Sequence, residues 1–151
     1  MSKIFLSKSA VMLFLFRGCK KNREILLQKR KNTGYMDNMW DCAVAGHVEK
    51  NESMKMALLR EAREEMNINI KLCNIHFATI MHKFTQESNN VYYNGYFFVD
   101  SFEGTPIINE PNKCSDLCWF NLNDIPADFI HDRRKALENY LANITYDEMG
   151  W

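Results

Sequence analysis

A chain of 151 residues, 46% apolar and 25% charged, is long enough to bury a real core and reads as one globular domain, 1–151. Its basic and acidic residues cancel at 19 each, so no basic surface advertises nucleic acid or an anionic membrane. Five cysteines, at 19, 42, 73, 114 and 118, form no C-x-x-C pair, and their odd count predicts reduced, structural thiols in a cytoplasmic protein.

The first apolar run, Ala10–Phe16, is short and passes directly into Arg17-Gly18-Cys19-Lys20-Lys21 without a small-residue cleavage site. It predicts a buried strand rather than a secretory signal, and nothing reaches the ~20 apolar residues of a membrane span. After a polar turn at 18–23, Glu24–Arg30 predicts a second strand and completes a hairpin. Residues 31–38 are a loop, and the apolar stretch Trp40–Ala45 predicts a third strand delivering the chain to Gly46.

A helix then starts at a cap, Asn51 or Ser53, and runs to Met66 through good helix formers. Side chains three and four apart share a face, so Glu61, Glu64 and Glu65 point together, with small Ala57 in front of them. Leu59, Ala62 and Met66 form the adjoining apolar stripe. Carboxylates at this spacing repel by roughly 0.2–0.5 kcal/mol per pair even when exposed, and a cation would gather them. Oxygen donors suit Mg²⁺ or Mn²⁺. A solvated face paired with Arg60 and Arg63 is the alternative.

Beyond the helix, apolar residues at 68, 70 and 72 predict a strand over Ile68–Phe77 that continues weakly to Lys83. A turn at 85–90 leads to the clearest strand, Val91–Val99, which is rich in aromatic and β-branched residues. Gly104-Thr105-Pro106 and Pro111 mark a loop, Leu117–Phe120 a short strand, Leu122–Pro126 a turn, and Arg133–Ala142 a closing helix. Strands with one central and one late helix predict an α/β sandwich.

Gly46, five residues, Glu52, seven residues, then Arg60-Glu61-Ala62-Arg63-Glu64-Glu65-Met66-Asn67-Ile68 resembles the Nudix box, G-x5-E-x7-R-E-U-x-E-E-x-G-U with U aliphatic. Every charged position is present, and Asn67 stands where the family has glycine. Asn is the next most tolerant residue of a left-handed helix end. The segment Glu110-Pro111-Asn112-Lys113-Cys114-Ser115-Asp116-Leu117-Cys118-Trp119-Phe120 resembles the E-P-x-K-C-x-x-L-x-W-F run of small nucleotide-hydrolysing members.

The resemblance implies the Nudix fold, a mixed β-sheet sandwiched between α-helices. It also implies Mg²⁺- or Mn²⁺-dependent hydrolysis of a nucleoside diphosphate linked to another group. By motif position Glu61, Glu64 and Glu65 match the metal-binding glutamates, joined by the Gly46 carbonyl and by Glu110 from the late loop. Glu61 or Glu64 would be the base, with Glu110 a further candidate. Arg60 would pair with Glu52 and hold the loop against the helix. Small MutT-type members imply a nucleoside or deoxynucleoside triphosphate as substrate, giving monophosphate and pyrophosphate. ADP-ribose hydrolysis and a non-catalytic nucleotide binder are the alternatives, and capped RNA ends stay open.

Arg30 suits bidentate phosphate contact, and Tyr35, with Met36 and Trp40, could border a nucleobase, although Trp40, Trp119 and Phe120 are expected in core or loop packing. His47 and His82 lack partners at metal-ligand spacing. Asp132 is expected to cap the last helix. A monomer and a homodimer are both open.

Overall fold

The computed structural model describes residues 3–151. Strand β1 spans Lys8–Arg17, and Val11 to Phe16 are all at most 1% exposed. Burial on both faces explains the unbroken apolar run. Val11, Leu13 and Leu15 pack with Ala57, Leu58, Ala62 and Met66 of helix α1 (Met54–Met66). Met12, Phe14 and Phe16 pack with Ala136 and Leu137 of helix α2 (His131–Leu141). The two helices thus cover opposite faces of β1. Alternate residues of one strand found both halves of the core.

Eight strands form one mixed sheet that divides at β1. Strand β2 (Glu24–Arg30) joins the far end of β1 as an antiparallel hairpin. It is flanked by β3 (Trp40–Cys42) and by β7 (Cys114–Asn121). The first part of β1 lies between β4 (Val44–His47), antiparallel, and β6 (Asn90–Val99), parallel. Strand β5 (His76–Thr85) pairs with β6, and β8 (Tyr146–Met149) closes that edge. Among the described residues no helix is long and apolar enough to cross a membrane.

Three sequence expectations change in the strands and core. The expected strand Trp40–Ala45 is two strands, because the chain leaves β2 at Cys42 and joins β1 at Val44. Gln28, 6% exposed, supports the crossing by donating Nε2 hydrogen bonds of 3.0 Å to the carbonyls of both Cys42 and Ala43. Residues 68–75 are not a strand. Ile68 and Ile70 do turn inward, but their segment has only a bridge between Asn69 and Glu103, and Leu72 is exposed in a short 3₁₀ turn. Leu58 takes the innermost position expected for Leu59, which packs at the rim. The short strand β8 had no counterpart in the sequence pattern.

Helix ends follow their local chemistry. Of the two candidate caps, Ser53 is used, accepting the Met56 N–H at 3.2 Å. Asn67 closes α1 in the left-handed conformation, φ 54 and ψ 40, so it serves where the Nudix box pattern has glycine. Helix α2 is different: its cap position is Ile130, with no side-chain cap, and Asp132 instead pairs with Lys83. All five cysteines are free. Cys42 and Cys114 are buried, whereas Cys19, Cys73 and Cys118 are exposed, so only two can be structural in the packing sense.

Asp41 ties α2 to the β2–β3 pair. It is fully buried, accepting from Arg133 Nε at 2.9 Å and from Arg30 at 2.8 Å. Burial pushes its carboxyl up, but Arg133 and then Arg30 outweigh that and hold it below the ordinary carboxylate range. A depressed folded value adds stability above the unfolded value, and that stability is lost as pH falls through the folded one. Asp41→Asn should therefore lose about 3–5 kcal/mol at neutral pH in urea unfolding, because Arg133 keeps a buried charge with no counter-ion. The deficit should shrink as pH falls below about 4, where the carboxylate of the unfolded wild-type chain begins to protonate while the folded one still resists. An unchanged midpoint at neutral pH would remove Asp41 as the tie.

Candidate active site

The end of β4 and the outer face of α1 meet at Gly46. A β-carbon built there would lie 2.4 Å from the Glu61 carboxyl, so only glycine lets helix and strand approach this closely. One turn further along α1, the Glu65 carboxylate accepts the Ala45 N–H at 3.1 Å. Two acidic side chains are thus pressed against the same stretch of backbone.

Arg60 organises the surroundings. Its Nε and one terminal nitrogen clasp Glu52 at 3.1 and 2.7 Å. The same terminal nitrogen donates to the His47 carbonyl at 3.2 Å, and the other reaches Glu61 at 2.8 Å and Glu64 at 3.3 Å. Glu52 also accepts the Glu49 N–H at 2.8 Å, so it folds the loop while holding the arginine. These contacts keep Arg60 charged. Glu52 and Arg60 join the loop to the helix, and Asn67 closes the helix end.

The carboxylates are electrostatically crowded. Burial raises the Glu61 pKa, and Glu64 and Glu110 add repulsion against the opposing pull of Arg60. Burial raises Glu65 much further, with repulsion from Glu61 the next cause. Glu64, whose side chain is 56% exposed, is the free member. Glu110 arrives on the loop before β7. That loop docks on the open end of α1: Ile107 N–H donates to the Met66 carbonyl, Asn109 N–H to that of Glu65, and the Asn109 amide to that of Glu64. Glu110 itself makes a loose 3.6 Å pair with Lys113.

Among the described residues no three His, Cys, Asp or Glu side chains already converge on one point. Arg60 spans Glu61 and Glu64 instead. The donors present are nonetheless all oxygen, and they sit where a missing β-carbon leaves room. That set fits a hard divalent cation, and Glu64 needs only a surface rotation to join it.

A cleft of about 490 Å³ opens from Gly46 and His47 across the face of the sheet that carries Ala10, Met12, Tyr92 and Asn94. Arg30 and Tyr35 line it. Met36 and Trp40 do not. Trp40 packs edge-on against Phe120 at 4.9 Å, and Trp119 lies under Arg17. Arg30 donates to the Tyr35 carbonyl at 2.7 Å and to Asp41, and the Tyr35 ring lies over both Arg30 and Arg133. Asp37 fixes this loop by accepting the Thr33 and Gly34 N–H groups at 3.0 Å. His47 meets the Tyr92 hydroxyl at 3.2 Å at the cleft mouth, while His82 stacks on Tyr93, and neither joins the carboxylates.

Sequence reasoning missed Arg133, Lys83 and Asn94 in this cleft and Asp41 behind it. The available signals were a lone aspartate in the apolar stretch 40–45 and an asparagine within the aromatic strand 91–99. Neither says what the partner is.

A model of the NUDIX domain matches residues 6–140. The chain is 32% identical over 66 residues to an 8-oxo-dGTP diphosphatase of Proteus vulgaris, covering 44% of this chain and 57% of that protein. It is 26% identical over 132 residues to isopentenyl-diphosphate Delta-isomerase 2 of Aromatoleum aromaticum, covering 87% and 65%. It thus spans less than two thirds of either relative. Among solved structures it resembles a MutT NUDIX hydrolase from Burkholderia pseudomallei, with TM-score 0.77, 24% identity, and 89% of this chain and 98% of that one covered. It also resembles the NUDIX domain of Shewanella oneidensis NrtR complexed with ADP ribose, with TM-score 0.72, 17% identity, and 94% and 91% covered. With the family model matched along nearly its whole length, the chain belongs to the NUDIX family.

Proposed function

We propose that the protein is a divalent-cation-dependent hydrolase of a nucleoside diphosphate linked to another group, with nucleoside or deoxynucleoside triphosphates as the first choice of substrate. The observation that carries this reading is the pair Glu61 and Glu65 pressed against Ala45–Gly46 at one end of a 490 Å³ cleft. Full possession of the charged box positions supports an enzyme over a silent binder.

Glu61, Glu64, Glu65 and the Gly46 carbonyl would hold Mg²⁺ or Mn²⁺, with Glu110 adding charge from its loop. The bound cation would neutralise phosphate oxygens and make water a better nucleophile. Arg30, backed by Asp41, is positioned to hold a phosphate, and Tyr35 lies beside it in the cleft. Water adds to one phosphorus, the P–O–P bridge opens, and the water proton passes to a glutamate. Glu64 is the better base of the two candidates, because it is exposed and held only by a long contact to Arg60, whereas Glu61 is held at 2.8 Å. The leaving group from a triphosphate is pyrophosphate. Arg60 acts through the glutamates it positions.

The test is phosphate release, coupled to pyrophosphatase or phosphatase, with Mg²⁺ or Mn²⁺. The panel holds common and oxidised triphosphates, ADP-ribose, nucleotide sugars and isopentenyl diphosphate. Pyrophosphate from triphosphates is the expected result. ADP-ribose alone would move the substrate class, and silence from folded protein would overturn hydrolysis. Glu64→Gln should lose turnover by roughly 10²–10⁴-fold with its unfolding midpoint retained. Gly46→Ala should drive a methyl into Glu61 and lower turnover by on the order of a hundredfold through displacement of that carboxylate. Turnover within twofold of wild type in Gly46→Ala would show that the close approach is not used.

A further inference from the structure

Arg133 enters the cleft with more hydrogen-bonding capacity than the protein uses. It is 8% exposed and lines the cleft. Among the described residues its one side-chain hydrogen bond runs from Nε to Asp41 at 2.9 Å, so both terminal nitrogens are left for the cleft. Arg30 lines the same cleft. It donates from Nε to the Tyr35 carbonyl at 2.7 Å and from one terminal nitrogen to Asp41 at 2.8 Å. Its other terminal nitrogen has no partner among the described residues.

Asp41 sets the two guanidinium groups side by side. Its Oδ1 accepts from Arg133 and its Oδ2 from Arg30, so each has one oxygen of a single carboxylate. The Tyr35 ring lies over both, 5.2 Å from Arg30 and 6.0 Å from Arg133. Two long side chains are thus fixed before a ligand arrives, and little rotamer freedom is left to lose on binding. The charge does not balance. Lys83 and Asp132 pair with each other, which leaves Arg30 and Arg133, two cations, against Asp41, one anion. Desolvated charge calls for opposite charge. Free guanidinium N–H groups match the oxygens of a phosphate or carboxylate, which accept them in parallel pairs.

This pair is distinct from the carboxylates at Gly46. Asp41 and Gly46 are five residues apart in the chain, so their α-carbons lie within about 18 Å, and one elongated ligand can reach both centres. We propose that Arg133, held beside Arg30 by Asp41, binds a second oxyanion of the substrate, apart from the phosphate gathered over the carboxylates. The oxyanion is the terminal phosphate of a triphosphate or an acid group on another moiety. This rests on the hydrolytic reading above and adds a specificity-determining residue to it.

The first arm of the test measures binding without turnover. Without a divalent cation the carboxylates at Gly46 repel anions, so the chelator-treated full chain reports on the arginines. Inorganic pyrophosphate is titrated calorimetrically into wild type, Arg133→Gln, Arg133→Lys and a charge control, Lys21→Gln, exposed at the turn between β1 and β2. Arg133→Gln should bind roughly ten- to a hundredfold more weakly than wild type. Arg133→Lys, which keeps the charge and loses the fork, should fall between them. Lys21→Gln should match wild type. Unfolding midpoints check the fold, and either folded Arg133 variant suffices. No binding by wild type at millimolar pyrophosphate, affinity within twofold of wild type in a folded Arg133 variant, or equal weakening in Lys21→Gln would overturn the site.

The second arm compares KM and kcat of wild type and Arg133→Lys with Mg²⁺. A raised KM for nucleoside triphosphates, with kcat within a few-fold and the KM for ADP-ribose unmoved, identifies the terminal phosphate as the oxyanion. Lost pyrophosphate binding with an unmoved triphosphate KM assigns it to an acid group on another moiety. Pyrophosphate held through Arg133 by a chain that hydrolyses nothing keeps the site and removes the hydrolytic reading. Hydrolysis by a chain whose folded Arg133 variants bind pyrophosphate as wild type does would do the reverse.

Discussion

The arrangement depends on how closely the carboxylate face of α1 approaches the backbone at Ala45–Gly46. Glu61 occupies the space that a side chain at position 46 would need, and Glu65 hydrogen-bonds the preceding amide. Neither carboxylate is comfortable there. Each is partly desolvated, and Glu61 raises the Glu65 pKa further. The fold tolerates this because α1 is anchored elsewhere. Leu58, Ala62 and Met66 are buried against β1, and full burial of a leucine-sized side chain is worth about 1.5–3 kcal/mol. Apolar burial on one face of the helix thus holds an electrostatically unfavourable cluster on another. Such a cluster is what a divalent cation would relieve.

Arginines divide the remaining work. Arg60 serves the helix side, joining Glu52, the His47 carbonyl and two glutamates, so that loop and helix cannot separate without breaking several charge-assisted bonds. Arg30 and Arg133 serve the cleft side, both held by one fully buried aspartate. Asp41 is therefore structural toward α2 and a positioning group toward the cleft. Its single carboxylate is shared by two guanidinium groups, so this side of the cleft keeps an excess of positive charge.

Local patterns made much of this legible in the sequence. The run Val11–Phe16 signalled a strand buried on both faces, and the glycine, glutamate and arginine spacing from Gly46 to Ile68 signalled the helix, its cap and its acidic face. Asn67 was read as a left-handed terminus and has that conformation. What escaped involves choices between distant partners. Trp40–Ala45 is apolar apart from Asp41, and nothing in it announces the change from β2 to β1. Ile68 and Ile70 alternate as a strand would, because an extended segment with no neighbouring strand can still bury alternate side chains. Asp132 has the composition of a cap, but Lys83, 49 positions away, takes its carboxylate. Arg133 and Asp41 are 92 positions apart, and only the fold brings them together.

The central claim is that the acidic face of α1 holds a divalent cation. Electron paramagnetic resonance titration of Mn²⁺ into the wild-type chain and into the double variant Glu61→Gln/Glu64→Gln tests it without any substrate. The account predicts saturable loss of the free-Mn²⁺ signal with wild type, competed by Mg²⁺, and little or none with the folded double variant. Equal Mn²⁺ uptake by both proteins, or none by wild type at millimolar Mn²⁺, would contradict it.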